Sequence, residues 1–569
     1  MRKLIVVGVV IAFGLGARCS DDDSGSPLWP SWGGDIHNTH NARGETQISP
    51  ATVSSLHPRW TVTTTGSVSA IPTLTDTRVY VTDWGLPGLG FSNLWVIDRD
   101  DGNVIAKEPI TKYTQNVLNN LTRSSPAIAG DLLIVGDLRN QPSSILAIPG
   151  AHGAWLYAID RHTGALVWKT ELDPHPLAIV TSSATIYQGR AYVGVSSFEE
   201  PAAKLGYPCC AFRGSVVAVD LATGAKVWQT FTAPPLASAT PGDDFTGNAV
   251  WGSAPAIDEV RHQVYVATGN NYTFPPALQS CLAAHAGDPL AQDACYTAHD
   301  RPDNYASSVL ALDLDTGAIH WARKLQNYGA WTFACDPELA PWIPNNFGNC
   351  EDLAALDFDF GQAPMLLTVA EGAPRDLVVV GQKSGVLWAF DPDTGATEWA
   401  TAVGPGGVLG GMEFGSATDG ARVYVGITNV EHTEYKLVAG THAGEVVHGG
   451  MFAAVDAGTG AILWQTPDPA GYLPLHGLLA NPVWGAGLGD GYFAWIKGPL
   501  TVANGVVFGG SMDRLGHMYA LDALTGNILW SFASGGSVMS APSIADGVLY
   551  WGSGYSSGFP NNKLFAFEL

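Results

Sequence analysis

The sequence is poor in basic residues. Of its 569 residues, 28 are Lys or Arg and 52 are Asp or Glu, which gives a formal net charge of −24. Nucleic acids and anionic membrane surfaces attract proteins through basic patches, so this composition argues against both as partners. Hydrophobic residues still make up 46% of the chain, which is enough for a packed core.

Three other features are missing as well. No Cys-x-x-Cys-His motif is present, which excludes a covalent c-type haem, and no Cys-x-x-Cys pair indicates a zinc site. After the first residues there is no stretch of ~18 apolar residues, so we expect a soluble mature protein. No long segment shows the 3.6-residue period of an amphipathic helix, and this favours a β-rich fold.

The N-terminus has the pattern of an export signal. Arg2 and Lys3 precede an apolar stretch from Leu4 to Phe13, which predicts a signal peptide over residues 1–18 and a flexible tether over residues 19–28. Cys19 is the candidate for a lipid anchor, whereas cleavage near Ala17 is the ordinary alternative. Both alternatives predict an exported, periplasmic protein, either free or anchored to the membrane as a lipoprotein.

Export makes the cysteines informative, because disulfides form in oxidising compartments. Six cysteines remain when Cys19 is set aside. Proximity in the sequence predicts two local disulfides and leaves two adjacent cysteines. The predicted pairs are Cys281 with Cys295 and Cys335 with Cys350, and the adjacent residues are Cys209 and Cys210.

A nine-residue pattern, Asp-x-x-Thr-Gly-x-x-x-Trp, recurs along the chain. Each copy follows a short apolar run, which predicts a β-hairpin with an Asp/Thr/Gly turn. The copies are about 71 residues apart, the length of a four-stranded propeller blade with long loops. The six full copies begin at Asp160, Asp220, Asp313, Asp391, Asp456 and Asp522, and a degraded copy begins at Asp98.

The two ends of the chain complete the ring. Trp60 lies near the mature N-terminus without a preceding hairpin strand, and the run from Lys563 to Leu569 is a matching strand without its Trp. Together they predict an eighth blade, which removes exposed sheet edges. We therefore predict an all-β, eight-bladed β-propeller over residues 29–569, closed by the N- and C-terminal strands. The repeated Trp residues are predicted to pack between blades.

Segments between the repeats resemble those of the quinoprotein alcohol dehydrogenases, eight-bladed propellers that hold pyrroloquinoline quinone (PQQ) and Ca²⁺. They are Val193-Gly-Val-Ser-Ser-Phe-Glu199, Ala267-Thr-Gly-Asn270, Leu356-Asp357-Phe-Asp359 and Gly381-Gln-Lys383. Tyr207-Pro-Cys-Cys and Gly410-Gly-Met-Glu-Phe-Gly are similar to the polyvinyl alcohol dehydrogenase branch.

The resemblance implies a set of site residues. Ca²⁺ would be held by Glu199, Asn270 and Asp357, and Ala355 stands where lanthanide-dependent relatives carry an extra acid, which favours Ca²⁺. Asp357 would be the catalytic base and Lys383 would contact the quinone oxygens. On an extended segment, Asp357 and Asp359 would point to opposite sides, so that only one faces the cofactor. The residues expected to contact PQQ are Trp251, Arg123, Thr181, Ser196, Lys383 and a vicinal disulfide of Cys209 with Cys210; Glu413 is expected to line the funnel.

The resemblance also implies a function. It implies oxidation of secondary or polymeric alcohols to ketones or aldehydes, with hydride transfer to PQQ and electrons passed to a separate acceptor such as a cytochrome c. Two alternatives stay open at this point. One is a non-catalytic propeller lipoprotein that serves as a scaffold, and the other is a propeller that binds a polymer without oxidising it.

Overall fold

The computed structural model describes residues 27–86, 90–138, 153–325, 329–335, 350, 357–370, 374–471, 494–556 and 558–569. The predicted signal peptide, Cys19 and Ala355 lie outside these ranges. None of the helices within these ranges has the length and apolar character needed to cross a bilayer.

The described residues form eight antiparallel sheets of four or five strands, one for each blade of the predicted propeller, and one separate two-stranded sheet. The eight blades confirm the predicted fold. The first strand, β1 (His57–Thr63), belongs to blade 8 and is described below. Blade 1 contains β2 (Thr73–Leu74), β3 (Arg78–Thr82), β4 (Asn93–Asp98) and β5 (Val104–Pro109). Blade 2 contains β6 (Ala127–Ala129), β7 (Leu132–Gly136), β8 (Ala154–Asp160) and β9 (Leu166–Asp173). Blade 3 contains β10 (Ala178–Ile179), β11 (Thr185–Tyr187), β12 (Arg190–Ser197), β13 (Ser215–Asp220) and β14 (Lys226–Phe231). Blade 4 contains β15 (Ala256–Asp258), β16 (Gln263–Ala267), β17 (Ser308–Asp313) and β18 (Ile319–Lys324).

The second half of the chain continues in the same order. Blade 5 contains β19 (Met365–Val369), β20 (Arg375–Gly381), β21 (Val386–Phe390) and β22 (Thr397–Ala402). Blade 6 contains β23 (Ala417–Thr418), β24 (Arg422–Ile427), β27 (Met451–Asp456) and β28 (Ile462–Pro467), with a separate hairpin of β25 (Tyr435–Lys436) and β26 (Val446–Val447). Blade 7 contains β29 (Thr501–Ala503), β30 (Val506–Gly510), β31 (His517–Asp522) and β32 (Ile528–Ala533).

Blade 8 is built from both ends of the chain. It contains β33 (Ser543–Ala545), β34 (Val548–Ser553), β35 (Lys563–Glu568) and, on the outside, β1 (His57–Thr63). Trp60 pairs with Ala566 and Val62 pairs with Leu564 in this sheet. The predicted closure by the two termini is therefore present, and it links sequence-distant strands by a full ladder of hydrogen bonds.

Helical segments are few and short among the described residues. They lie in the loops rather than in the blades. They are α1 (Thr111–Thr114), α2 (Glu199–Ala203), α3 (Pro276–Ala284) and α4 (Pro289–His299), with 3₁₀ turns at Val53–Ser55 and Phe333–Cys335.

In seven of the eight blades, the repeated Trp joins the blade to the next one by a hydrogen bond to a backbone carbonyl. Trp228 in blade 3, for example, donates its Nε1–H to the Leu314 carbonyl in the turn of blade 4, at 3.0 Å. Gly317 in that turn has a φ of +69°, and a Cβ there would lie 2.5 Å from the Trp228 ring, so only glycine fits. The equivalent donors are Trp60, Trp168, Trp321, Trp399, Trp464 and Trp530. These contacts support the predicted role of the Trp residues in packing between blades.

The degraded copy in blade 1 carries Ala106 where the others have Trp. Tyr113, which is buried on helix α1, fills the place of the Trp between blades 1 and 2. Its hydroxyl lies 3.4 Å from the Gly164 carbonyl of blade 2. A different aromatic residue therefore covers the same kind of turn.

A segment that precedes β1, residues 28–48, closes the central channel; we refer to it as the inner segment. Its backbone hydrogen-bonds to innermost strands around the ring. Ile128 donates to Pro30, Ile257 to Ile36, Leu366 to His37, Thr418 to Thr39 and Val502 to His40, while Leu28 and Trp29 pair with Leu74. The inner segment thus ties together strands that belong to six blades.

His40 lies at the centre of the inner segment and is fully buried. Its ring contacts Trp32 edge to face at a centroid distance of 4.2 Å, and neither ring nitrogen has a protein hydrogen-bond partner among the described residues. Burial lowers the pKa of His40 to about 3, so this histidine is neutral near neutral pH.

We predict that His40 makes stability depend on pH. Below pH 6.5 the unfolded chain takes up a proton at His40 that the folded chain does not, so the free energy of unfolding falls by about 1.4 kcal/mol per pH unit from this residue. His40→Gln should remove that part of the slope between pH 6.5 and pH 5 in denaturant titrations. The exposed His57→Gln is the control, and equal slopes in the two variants would refute the prediction.

Candidate active site

A cavity of about 270 Å³ opens on the central channel beyond the inner segment. One part of its wall is charged and the rest is apolar. The charged residues that line it are Arg123, Glu200, Asp357, Asp359, Lys383, Glu413 and Lys497. The large apolar residues that line it are Trp84, Leu138, Ile179, Phe198, Phe333, Leu409, Phe414, Trp495, Met512 and Tyr555.

Lys383 follows strand β20 and contacts two carboxylates at once. Its Nζ lies 2.7 Å from Asp357 Oδ2 and 2.8 Å from Asp359 Oδ1, and all three side chains are almost fully buried. Asp357 Oδ1 has no hydrogen-bond partner among the described residues. An unpaired buried carboxylate oxygen is costly, and it is the atom best placed to accept a proton or to bind a cation.

Asp359 is held more firmly than Asp357. Its Oδ2 accepts a hydrogen bond of 2.8 Å from Trp251 Nε1, while Lys383 Nζ lies 4.9 Å from the centroid of the same Trp251 ring. Gly361 has no room for a Cβ, which would lie 2.5 Å from that ring. Asp359 therefore orients both Lys383 and the flat face of Trp251.

The expectation that Asp357 and Asp359 point to opposite sides of the chain is wrong. Both carboxylates meet the same ammonium group. The reason is that residues 357–360 do not form a strand, so side chains do not alternate there as they do on a pleated segment.

The charged wall carries more acids than bases. Burial, together with the Asp359 carboxylate, raises the pKa of Asp357 to about 8, against the opposing effect of Lys383. Burial likewise raises the pKa values of Glu200 and Glu413. Burial would lower the pKa of Lys383, but Asp357 and Asp359 raise it above its usual value. Four carboxyl groups thus lie near two lysines, while Arg123 lies at the other end of the cavity, so a bound cation would offset the local excess of acids.

Glu199 lies outside this cavity, contrary to its expected role as a metal ligand. Its buried carboxylate accepts hydrogen bonds from the backbone N–H groups of Ala211 and Phe212, at 2.9–3.1 Å, and lies 3.2 Å from His175 Nε2. These partners occupy both oxygens. The carboxylate that lines the cavity belongs to Glu200, one residue further along helix α2.

Asn270 lies in the cavity wall beside Glu200, as expected of a metal ligand. Its Nδ2 donates to the carbonyls of Asn271 and Trp331, both at 2.8 Å. These two bonds orient the amide, so that its carbonyl oxygen is the atom it can offer to a cation. Glu200, Asn270 and Asp357 thus place carboxylate and amide oxygens in one wall of the cavity, and such oxygens are the donors that Ca²⁺ prefers.

The three polar residues expected at the other end of the cofactor also line the cavity. They are Arg123, Thr181 and Ser196. Thr181 donates its hydroxyl to the Trp251 carbonyl at 2.6 Å, and Arg123 Nε lies 3.4 Å from the Thr181 carbonyl. The Arg123 guanidinium also lies 5.2 Å from the centroid of the Phe414 ring. This end of the cavity is positively charged, which suits the carboxylates of a ligand.

The adjacent cysteines form a disulfide, and so do the two predicted local pairs. Cys209 and Cys210 are buried, but they are not among the residues that line the cavity. The chain turns directly after them, and the N–H groups of Ala211 and Phe212 bind Glu199. In this structure the vicinal disulfide therefore supports the loop that encloses Glu199.

Sequence reasoning did not single out Glu200, Lys497 or the apolar wall. Glu200 directly follows Glu199, so the motif alone could not choose between the two acids. Lys497 contacts both oxygens of Glu413, at 2.9 and 3.1 Å, from a segment that precedes blade 7. No local pattern connects residues 413 and 497; only the ring of blades brings them together.

Comparisons with known proteins place this geometry in context. A family model described as outer membrane protein assembly factor BamB matches residues 18–323, 305–480 and 448–567. The chain is similar to the polyvinylalcohol dehydrogenase of a Pseudomonas species, with 28% identity over 94% of this chain and 74% of the relative. It is equally similar to that of Sphingopyxis strain 113P3, with 28% identity over 93% of this chain and 72% of the relative. Among solved structures, the quinohemoprotein alcohol dehydrogenase ADHIIG of Pseudomonas putida HK5 superposes with a TM-score of 0.65 and 17% identity, over 95% of this chain and 80% of that one.

We predict that the vicinal disulfide matters for stability more than for ligand binding. Replacing Cys209 and Cys210 by Ser frees the loop that binds Glu199, so the melting temperature should fall. The affinity for PQQ, measured by fluorescence quenching, should change less than threefold. A large loss of affinity at an unchanged melting temperature would instead place these cysteines at the cofactor.

Proposed function

The chain belongs to the family whose model is described as outer membrane protein assembly factor BamB, and we propose that within this family it is a PQQ-dependent alcohol dehydrogenase that also requires Ca²⁺. The observation that carries this proposal is the buried group of Lys383, Asp357 and Asp359 beside Trp251, with one oxygen of Asp357 left unpaired. A propeller that serves only as a scaffold has no use for such a costly arrangement of buried charges.

The residues present fit the two groups that the family implies. Glu200, Asn270 and Asp357 are the proposed Ca²⁺ ligands, and the excess of carboxylates around Lys383 supports a divalent cation. Trp251 offers a flat apolar face to a planar cofactor. Arg123, Thr181 and Ser196 are proposed to bind the cofactor's carboxylates. When bound, PQQ supplies the hydride-accepting quinone.

Each residue of the central group has a distinct proposed role. Asp357 is the proposed base, and it accepts the proton of the substrate hydroxyl. Lys383 favours the ionised form of Asp357 against the opposing effect of burial, and it donates a hydrogen bond to negative charge that develops on a neighbouring oxygen. Asp359, tied to Trp251 and Lys383, is a positioning residue that holds both in place.

We also propose the class of the alcohol substrate, the kind of electron acceptor and the cellular location of the protein. The relatives named above act on polyvinylalcohol, and the apolar wall of the cavity suits a carbon chain that bears hydroxyl groups. The sequence has no site for covalent haem, so we propose that electrons leave to a separate acceptor such as a cytochrome c. Export to the periplasm, with or without a lipid on Cys19, follows from the N-terminal pattern.

The direct experiment is reconstitution. Purified protein with PQQ and Ca²⁺ should reduce an artificial dye when a secondary alcohol is added, and omission of either PQQ or Ca²⁺ should abolish the reaction. Dye reduction that does not depend on PQQ would refute the proposed function.

We predict that Asp357→Asn lowers turnover by about 100- to 10,000-fold, because it removes the proton acceptor while keeping the shape. PQQ should still bind. Asp359→Asn is the matched variant, and we expect a smaller loss of turnover, with weaker quenching of Trp251 by PQQ because the indole N–H loses a charged hydrogen-bond acceptor. If Asp359→Asn abolished turnover and Asp357→Asn did not, the two roles would be reversed.

We predict that the two adjacent glutamates respond oppositely to substitution. Glu200→Gln removes a proposed ligand charge, so the Ca²⁺ affinity measured by calorimetry in the presence of PQQ should fall at least tenfold with little change in melting temperature. Glu199→Gln weakens the hydrogen bonds to Ala211 and Phe212, so it should lower the melting temperature and leave the Ca²⁺ affinity nearly unchanged. The reverse pattern would return the ligand role to Glu199.

A further inference from the structure

A second buried ion pair lines the cavity and has no part in the roles described above. Glu413, in the loop between β22 and β23, contacts Lys497 through both carboxylate oxygens, at 2.9 and 3.1 Å. The side chains of Glu413 and Lys497 are only 2% and 11% exposed. A buried ion pair is weak evidence for stability, because desolvation of the two charges offsets most of their attraction.

The chemistry of the pair suits a neutral hydroxyl group. A carboxylate oxygen accepts a hydrogen bond and an ammonium group donates one, whereas a hydroxyl can do both. The Glu413 carboxylate would repel the carboxylates of PQQ, so the pair is a poor site for them. Arg123, at the other end of the cavity, is the residue that suits those carboxylates. The pair therefore faces a different ligand from the one that Arg123 suits.

The Glu413–Lys497 pair lies close to Asp357 and Lys383, where the proposed oxidation takes place. Glu413 is close enough to Asp357 and Lys383 to influence the pKa values of both. The next residue, Phe414, packs edge to face on Trp251 at a centroid distance of 5.7 Å. The apolar residues Trp84, Trp495 and Met512 line the same cavity. Two polar groups on one side and an apolar surface elsewhere match a carbon chain that carries more than one hydroxyl.

We propose that the Glu413–Lys497 pair binds a second hydroxyl group of the substrate, and that this pair thereby selects alcohols that carry another hydroxyl close to the one that is oxidised. This inference rests on the proposed oxidation at Asp357. One hydroxyl meets Asp357 and is oxidised, while a neighbouring hydroxyl is held by Glu413 and Lys497 and places the first one. Glu413 and Lys497 are specificity-determining residues in this account.

The test separates binding from turnover by using alcohols that cannot be oxidised. Calorimetry on the protein loaded with PQQ and Ca²⁺ would compare the tertiary diol 2,4-dimethylpentane-2,4-diol with the tertiary mono-alcohol 2-methylpentan-2-ol. Hydrogen bonds to charged groups favour the diol, so we expect it to bind about ten- to hundredfold more tightly. Equal affinities in the unmodified protein would overturn the inference.

Variants then assign the preference to the pair. Glu413→Gln and, independently, Lys497→Met should each reduce the diol preference to less than threefold. Lys324→Met, which breaks the Lys324–Asp300 ion pair away from the cavity, should keep the full preference. A preference that survives in both cavity variants, or an equal loss of affinity for diol and mono-alcohol, would overturn the inference.

The same experiment distinguishes the inference from the proposed function. If the loaded protein oxidised neither pentan-2-ol nor pentane-2,4-diol but still bound the tertiary diol preferentially through Glu413, the proposed oxidation would fail and the hydroxyl site would stand. If it oxidised both alcohols with equal kcat/KM and bound both tertiary alcohols equally, the oxidation would stand and the hydroxyl site would fail.

Discussion

The contact of one buried ammonium group with two buried carboxylates organises the whole site. Lys383 meets Asp357 and Asp359 at 2.7 and 2.8 Å, and Asp359 in turn holds the indole of Trp251. Charges removed from water in this way are stable only when each has partners. Because Lys383 cannot satisfy every nearby acid, Asp357 Oδ1 has no hydrogen-bond partner in the part of the chain that the structure describes, and carboxyl groups are in surplus over lysines beside Glu200. Both proposed roles of the site, cation binding and proton acceptance, follow from that surplus.

The propeller can tolerate these buried charges because its stability comes from contacts outside the site. Each repeated Trp binds the turn of the next blade, as Trp228 binds Leu314, and the inner segment ties the innermost strands together across the channel. The loops that enter the cavity are therefore free to carry buried charge. They also bring together residues that are far apart in sequence, such as Glu413 and Lys497 on the approaches to neighbouring blades.

The repeat pattern predicted the architecture because its residues act locally. Asp220 accepts hydrogen bonds from the Thr223 N–H and hydroxyl within one turn, so the motif reports the hairpin directly. Site residues that lie at strand ends, such as Lys383 and Asn270, were also predictable by position. The choice between Glu199 and Glu200 was not, because it depends on which acid the distant N–H groups of Ala211 and Phe212 capture. The side-chain directions of Asp357 and Asp359 were missed for a related reason: period-2 alternation holds only in strands.

A crystal structure of the protein loaded with PQQ and Ca²⁺ tests the central claim most directly. The account predicts one Ca²⁺ ion at 2.3–2.6 Å from oxygens of Glu200, Asn270 and Asp357, which is the usual range for this cation. It also predicts a planar cofactor against Trp251 and Asp359 still bound to Lys383. A cation bound by Glu199, or a cofactor seated away from Trp251 and Lys383, would contradict the account.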